Sequence, residues 1–224
     1  TSRLTRLERV RWGEAALLSM LRSTKLVRPD TNTAWAEAAV GSGTVAGNNP
    51  AHKVLRTGAT ASSSILARTP IHGLNTGTLA YNYADWDKSL SFFFVVSRET
   101  TDTQAVSRVQ IKEANGIGNL AELGIGLVLD NLSLTGESYG TSRGTVALTT
   151  VLTSTYPVLI EIRLTSAGVE FFVNGVSEGS LTTAGMFPTG DGAAGSVIML
   201  SHANGAAGTN SDFLVGHLMV VQGI

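Results

Sequence analysis

The sequence predicts an all-β protein, an antiparallel β-sandwich preceded by a short helical arm. Gly, Thr and Ser account for 72 of the 224 residues (25, 26 and 21), a composition typical of short strands joined by tight turns. Charged residues make up only 15% of the chain, below the roughly 25% of an average domain. No cysteine is present, which excludes disulfides, a thiolate nucleophile and any Cys-ligated metal.

Residues 1–30 are predicted to form the basic arm. Residues 1–28 carry seven Lys/Arg and two Glu, a charge of +5, whereas the rest of the chain carries nine Lys/Arg and 15 Asp/Glu, a charge of -6. Thr5 and Glu8 have the spacing of a helix capping box, and Leu residues follow at helical intervals. Pro29 ends the predicted helix. No signal peptide is predicted, because the apolar stretch in this segment is short and bounded by charges.

We expect the arm to dock on a sister subunit or on another protein. The alternatives are packing on its own β domain and contact with nucleic acid or an anionic membrane. Within residues 1–28, Arg outnumbers Lys six to one, which favours bidentate pairing with carboxylates, and only Trp12 is available to stack on bases. Nucleic acid and membrane are therefore not expected partners. The predicted partner-binding residues are Arg3, Leu4, Arg6, Leu7, Arg9, Arg11, Leu17, Leu18 and Leu21.

Residues 31–224 are predicted to form the sandwich, because about a dozen strand-like segments follow one another with no helical pattern between them. The predicted strands are Thr33–Ala39, Ser64–Arg68, Thr78–Tyr83, Ser89–Ser97, Val106–Lys112, Leu123–Asp130, Thr145–Leu152, Pro157–Thr165, Gly168–Asn174, Val176–Leu181, Ser196–Ser201 and Phe213–Val221. The longest strictly apolar runs are about five residues, too short for a transmembrane helix.

The segment 157–181 carries the strongest strand pattern. Ile160, Ile162 and Leu164 alternate with charged residues, which predicts one buried and one wet face. Asn174-Gly175 then separates two strand-like segments and predicts a type I′ hairpin. By contrast, Phe92–Val96 is apolar on both faces, which predicts a central strand covered on both sides.

These residues carry a resemblance. The run LIEIRLTSAGVEFFVNGV, from Leu159 to Val176, resembles the late hairpin of concanavalin A-like (laminin-G-like) jelly rolls. Phe213–Val221 resembles the last strand of such domains, and Asp85–Phe92 resembles the approach to their first central strand. The resemblance implies a jelly-roll sandwich over residues 31–224. That fold serves lectins, glycanases, lyases and passive structural modules alike, so it does not decide the function.

No catalytic residue, metal site or cofactor is predicted. A glycanase of this fold needs two carboxylates close together on one sheet face, and the candidates, Glu161 and Glu170, each stand alone on their strands. The four His residues lack metal-ligand spacing. Asp85 and Asp87 flank Trp86, where a turn is expected in preference to a sugar or metal site. Calcium at an oxygen-rich loop stays open as an alternative.

Aromatic residues give a possible glycan-binding site. Tyr81, Tyr83 and Trp86 cluster at one predicted strand end, and Phe172 points away from the face that contains Phe171. Rings placed in this way can stack on a sugar, but they can equally belong to the core. The possible glycan-binding residues are therefore Tyr81, Tyr83, Trp86 and Phe172.

Three classes of function fit the sequence. Thr/Ser/Gly-rich sandwiches without Cys or a catalytic signature resemble bacteriophage virion proteins. We therefore expect a non-enzymatic structural protein (a capsid decoration, head-fibre or tail module) anchored by its arm in a homo-oligomer or on other virion proteins. It would lie in the virion after assembly in the host cytoplasm. A glycan-binding lectin-like module is the alternative, and a polysaccharide-degrading enzyme of the same fold comes third.

Overall fold

The computed structural model describes residues 24–26, 35–49, 52–70, 84–99, 105–113, 119–152, 157–190, 196–205 and 211–222. In these ranges all regular secondary structure is β. The strands are β1 (Thr24–Leu26), β2 (Ala36–Val40), β3 (Thr44–Asn49), β4 (His52–Thr57), β5 (Ser64–Pro70), β6 (Leu90–Glu99), β7 (Val106–Lys112), β8 (Gly124–Asp130), β9 (Ser133–Tyr139), β10 (Arg143–Val151), β11 (Val158–Thr165), β12 (Gly168–Val173), β13 (Val176–Leu181), β14 (Val197–Ala203) and β15 (Ser211–Gln222). No helix in these ranges has the length and hydropathy needed to cross a bilayer.

The strands form two antiparallel sheets stacked as a sandwich. The eight-stranded sheet has the order β13-β12-β11-β6-β15-β4-β3, with β1 paired beside β4 on the same edge of β15. The seven-stranded sheet has the order β10-β9-β8-β7-β14-β5-β2. Neighbours in sequence are mostly neighbours in a sheet, but β6, β14 and β15 join segments far apart in the chain. The predicted all-β antiparallel sandwich is confirmed.

The core lies between the two sheets. Alternate residues of β6 (Phe92, Phe94 and Val96) are fully buried there, as the pleat of a strand with one face on a core requires. A Cβ added to Gly136 on β9 would lie 2.6 Å from the Phe171 ring on β12. The ring therefore packs directly on the glycine backbone of the opposite sheet, and a larger residue at position 136 would push the sheets apart.

Two predictions from the sequence pattern are confirmed in detail. Asn174 and Gly175 have φ angles of 51° and 80°, and they close the hairpin in which Val173 pairs with Val176. Both central residues thus have the positive φ that a type I′ turn requires. β6 is a central strand between β11 and β15, although its outward residues Phe93 and Val95 are only half-buried.

Other predictions need correction. Thr24–Leu26, which the helical arm was predicted to include, form a strand that pairs with Met219–Val221 of β15; residues 1–23 lie outside the described residues. The sequence pattern also did not predict the strands β3, β4 and β9. His217 lies within β15, exposed and with φ 52°, at a bulge in that strand.

Candidate functional site

The outer face of the seven-stranded sheet carries a cluster of charged and amide side chains. On β7, Val109 and Ile111 face the core, so Arg108, Gln110 and Lys112 point to the opposite side. The strand register places Glu137 of β9 on that same side. The residues that we call the polar face are Arg68, Arg108, Gln110, Lys112, Gly124, Gly126, Glu137, Arg143, Met199 and Ser201.

Glu137 is the centre of this face. It is fully buried, although it points away from the sandwich core. Gln110 Nε2 donates to its Oε1 at 2.6 Å, and Arg143 donates to its Oε2 from Nε at 3.2 Å and from Nη2 at 2.9 Å. The Leu120 backbone N–H approaches the same oxygen at 3.5 Å. A buried carboxylate is tolerated only when it is paired and hydrogen-bonded in this way.

Glycine at position 126 makes this contact geometrically possible. Gln110 and Glu137 lie on β7 and β9 and both pair with Gly126 on β8, which separates them. A Cβ at position 126 would lie 2.7 Å from Gln110 Cγ. Because the glycine has no side chain, the two flanking side chains meet above it. Gly124 has a similar role. A Cβ at position 124 would lie only 3.0 Å from Leu120 Cδ2, so the glycine leaves space for the Leu120 side chain.

Burial changes the proton affinity of groups around the face. Burial lowers the pKa of Arg108, although the nearby negative charge of Glu137 partly offsets this shift. Burial also lowers the pKa of Lys112, and there the charge of Glu122 acts in the opposite direction. At the end of β7, burial raises the pKa of Glu113, although Trp86 Nε1 donates to its Oε1 at 2.9 Å and opposes the shift. Perturbed groups gathered in one region are a mark of functional sites.

Arg108 Nε and Ser201 Oγ on this face are buried with no hydrogen-bond partner in the part of the chain that the structure describes. The two residues stand directly opposite each other on β7 and β14. Arg108 Nη2 donates to Asn119 Oδ1 at 3.2 Å in an exposed hydrogen bond. Unsatisfied buried polar groups are rare in native proteins and call for an explanation.

The two predicted aromatic residues that the structure describes, Trp86 and Phe172, lie away from this face. Trp86 belongs to the core with 2% exposure, so its ring offers no open face. Phe172 lies on the outer side of the other sheet, where the Arg163 guanidinium covers its ring at 4.4 Å from the centroid. Tyr81 and Tyr83 lie outside the described residues, as do the partner-binding residues predicted in the arm, so those assignments stay predictions.

The carboxylates singled out in the sequence have local partners. Glu161 accepts from Arg163 at 2.7 Å and Glu170 accepts from Ser177 Oγ at 2.5 Å. Asp87 Oδ1 accepts from the Gly190 backbone N–H at 2.6 Å, as a residue that fixes a turn would do. No group of three or more His, Cys, Asp or Glu suited to a metal ion occurs among the residues that the structure describes.

Sequence reasoning missed the residues of the polar face. The sequence of β9 does not predict a strand, and still less one in which Glu137 is fully buried; it reads Ser-Leu-Thr-Gly-Glu-Ser-Tyr. One signal was available in the alternating glycines Gly124 and Gly126 of β8, since glycine within a strand marks a place where another group approaches closely.

Comparison with solved structures finds the same β-sandwich fold in other proteins. The carbohydrate recognition domain of Emp47p superposes with a TM-score of 0.59 at 13% identity, covering 89% of this chain and 95% of that one. A glycosidic hydrolase superposes with a TM-score of 0.57 at 12% identity, covering 88% and 94%. A type C botulinum neurotoxin structure, described as interacting with two ganglioside molecules, gives 0.56 at 8% identity, covering 92% of this chain and 49% of that one.

At these identities the likeness shows the fold alone. It agrees with the concanavalin A-like jelly roll that the late hairpin resembles, and it gives no support to the link with bacteriophage proteins. No protein-family model matches the chain. No curated protein matches it either.

Proposed function

We propose that this chain is a lectin-like carbohydrate-binding module and that its glycan binds on the polar face of the seven-stranded sheet. The observation that carries the proposal is the buried Glu137 carboxylate on the outward side of a sheet, held by Gln110 and Arg143. Burying a charged pair adds little to folding stability, because the cost of desolvating the charges offsets the energy gained from pairing them. A binding face does gain, because it needs polar groups fixed in position before the ligand arrives.

The chemistry of the face suits sugar hydroxyl groups. Each hydroxyl both donates and accepts, and planar carboxylate, amide and guanidinium groups provide acceptors and donors in fixed directions. Of the four described donors to Glu137, three reach Oε2 and one reaches Oε1, so the lone-pair direction left for a ligand is on Oε1. Arg143 is about one-third exposed in its side chain, so it reaches solvent from the same network.

The structural neighbours support this choice of ligand class. The first is itself named a carbohydrate recognition domain, and 95% of its length is matched. The neurotoxin contributes less support, since this chain spans only about half of it and the ganglioside interaction belongs to that whole protein.

We propose that the module is not an enzyme, although one neighbour is named a glycosidic hydrolase. Asp130 lies outside the polar face, but it is on the same side of β8 and stands four residues along that strand from Gly126, the partner of Glu137. At about 3.3 Å per residue, the two Cα atoms are about 14 Å apart. Glycosidases keep their paired carboxyl groups within about 5–9.5 Å.

The virion role favoured by the sequence has no support among these neighbours, and we prefer the glycan-binding alternative for that reason. Homo-oligomerisation, virion partners and location in a virion stay predictions. They are compatible with a glycan-binding sandwich, because the arm and the polar face are separate parts of the chain.

The experiment is a glycan array followed by calorimetric titration of the best ligand. Glu137→Gln should weaken binding by about tenfold or more, as expected when a charge-assisted hydrogen bond is lost. Glu161→Gln, on the other sheet, is the matched control and should bind like the native chain. Arg143→Gln provides a second test if Glu137→Gln unfolds. Equal binding by all three variants, or release of sugar from the array, would contradict the proposal.

A further inference from the structure

We infer that the glycan is acidic, and that its carboxylate or sulfate group is bound by Arg108 and Ser201 on the polar face. This inference rests on the proposed function and adds the chemical class of the ligand. It also assigns a second set of contacts, on β7 and β14, beside the Glu137 network.

Geometry supplies the first argument. Arg108 pairs with Ser201 in the register of β7 and β14, and directly opposite side chains on one face have Cβ atoms about 4.5–5.5 Å apart. Ser201 is 4% exposed. Its hydroxyl and Arg108 Nε are both buried without a hydrogen-bond partner among the residues that the structure describes. The hydroxyl can accept as well as donate, but no described acceptor receives the hydrogen of either group, so an added acceptor would satisfy both.

Charge supplies the second argument. On the opposite side of β14, Arg68 of β5 pairs with Met199, which stands two residues from Ser201 on the same face. Neither Arg68 nor Arg108 has an ion pair with a carboxylate among the described residues. Glu137, the buried acid of the face, is already paired with Arg143. Ser201 therefore lies near two arginines that form no ion pair with a carboxylate among the described residues, although the charges of Glu137 and Asp130 act on Arg108 from a greater distance.

An oxyanion satisfies these donors in one geometry. Arg108 Nε–H and one Nη2–H form the flat edge that binds two oxygens of a carboxylate or sulfate, and the Ser201 hydroxyl donates a third hydrogen bond. Nη2 has a second hydrogen, so the hydrogen bond to Asn119 is compatible with this pairing. A neutral hydroxyl group would fill only one of these positions. Lysine could not reproduce the two-pronged contact.

Access requires a small movement of Arg108. Both unpaired atoms are shielded from solvent, whereas the residue as a whole is only half-buried. Its hydrogen bond to the exposed Asn119 is long and open to water. An exposed contact of this kind is easily exchanged for water, so the guanidinium can turn to meet the anion.

The experiment compares matched acidic and neutral glycans by calorimetric titration. The pairs are sialyllactose against lactose, a glucuronate oligosaccharide against its carboxyl-reduced form, and a sulfated oligosaccharide against its desulfated form. At least one acidic member should bind about tenfold or more tightly than its neutral partner, since the charged contact is lost with the acid. The pair that responds distinguishes carboxylate from sulfate.

Variants locate the site. Arg108→Gln and Ser201→Ala should remove the preference for the acidic member, and Arg108→Lys should restore it only in part. Arg163→Gln, on the other sheet, is the control, and this variant should keep the preference for the acidic glycan. Circular dichroism melting verifies that each variant is folded.

The outcomes separate this inference from the proposed function. If neutral glycans bind as well as acidic ones and Arg108→Gln binds normally, the inference is overturned while the proposed function stands. If the preference survives in Arg108→Gln, or is lost in Arg163→Gln, the anion binds elsewhere and the inference is overturned. If the native chain binds no glycan at all, the proposed function fails and the inference fails with it.

Discussion

The outer faces of the two sheets use the same side-chain chemistry with different degrees of burial. On the eight-stranded sheet, Arg163 pairs with Glu161 at 2.7 Å, and the carboxylate side chain is 15% exposed. On the seven-stranded sheet, Arg143 pairs with Glu137 at 2.9 Å, and the carboxylate is fully buried. Exposed pairs contribute at most about 1 kcal/mol, whereas breaking a buried pair costs about 3–5 kcal/mol.

The difference originates in the residues around each pair. Glu137 has Gly126 and Gly124 on the neighbouring strand, so side chains of the next strand can reach over it, and Leu120 approaches from the loop before β8. Glu161 has Phe93 and Phe172 as its neighbours in the register. Arg163 covers the Phe172 ring and leaves the carboxylate near solvent. One face has an enclosed polar network, and the other has an ordinary solvated surface.

The largest expected effect is on folding stability at the buried carboxylate. Glu137→Ala should lower the free energy of unfolding by about 3 kcal/mol, because Gln110 is left buried without its acceptor and Arg143 without its counter-charge. Glu161→Ala should change it by less than about 1 kcal/mol. Urea denaturation of the two variants provides the measurement. Similar losses for both would mean that burial does not distinguish the two faces.

The next effect tests the role of glycine in the network. Gly126→Ala should cost about 1–3 kcal/mol by overpacking, because the new Cβ would lie 2.7 Å from Gln110 Cγ. Shortening Gln110 to Ala should relieve this clash. We therefore expect Gly126→Ala and Gln110→Ala to be non-additive, with the double variant more stable than the sum of single losses predicts. Strict additivity in urea denaturation would show that the two positions do not compete for space.

Sequence patterns predicted the strands whose polar and apolar residues alternate. β11 and β12 follow the pattern closely, because one face of each strand meets the core. The turn at Asn174 and Gly175 also follows its pattern. β4 and β9 were missed because charged residues occupy buried positions in them. Lys53 of β4 is buried, with its Nζ 2.7 Å from Glu37 and 5.1 Å from the centre of the Trp35 ring.

The candidate site could not be predicted from the sequence for a related reason. Gln110 and Glu137 are 27 positions apart, and they meet only because β8 separates them with a glycine at the shared register position. Ser201 lies opposite Arg108 only because a late strand inserts between β5 and β7. Register across non-consecutive strands is set by packing of the whole sandwich, which a local pattern does not contain.

A smaller effect concerns Phe172, the aromatic residue predicted to bind glycan. Its ring is covered by Arg163 and lies on the sheet opposite the polar face. Phe172→Ala should leave glycan affinity within about twofold of the native value, since residues outside the contact contribute little. It should lower stability by about 1 kcal/mol through the lost cation–π contact and packing. A larger loss of affinity than of stability in the same preparation would move the binding site to the eight-stranded sheet.

The smallest effect concerns the edge where the two sheets meet. Glu178 of β13 accepts hydrogen bonds from the backbone N–H of Thr150, at 2.8 Å, and from the Thr150 hydroxyl on β10. Burial alone would raise the pKa of Glu178, but the hydrogen bonds from Thr150 and Thr149 outweigh it and lower the pKa below its ordinary value of 4.5. The contact thus joins the edge strands of the two sheets through an ionised carboxylate.

A carboxylate with a lowered pKa in the folded state stabilises the protein above the pKa of the unfolded chain, and this contribution disappears as the pH falls through the folded value. Glu178→Gln keeps one accepting oxygen but no charge. The native chain should therefore exceed this variant in unfolding free energy at pH 7, by less than about 1 kcal/mol because the contact is near solvent. The difference should shrink as the pH falls below 4.5. Urea denaturation at pH 7 and at successively lower pH gives the comparison, and a difference that grows on acidification would show that the carboxylate is not what joins the two edges.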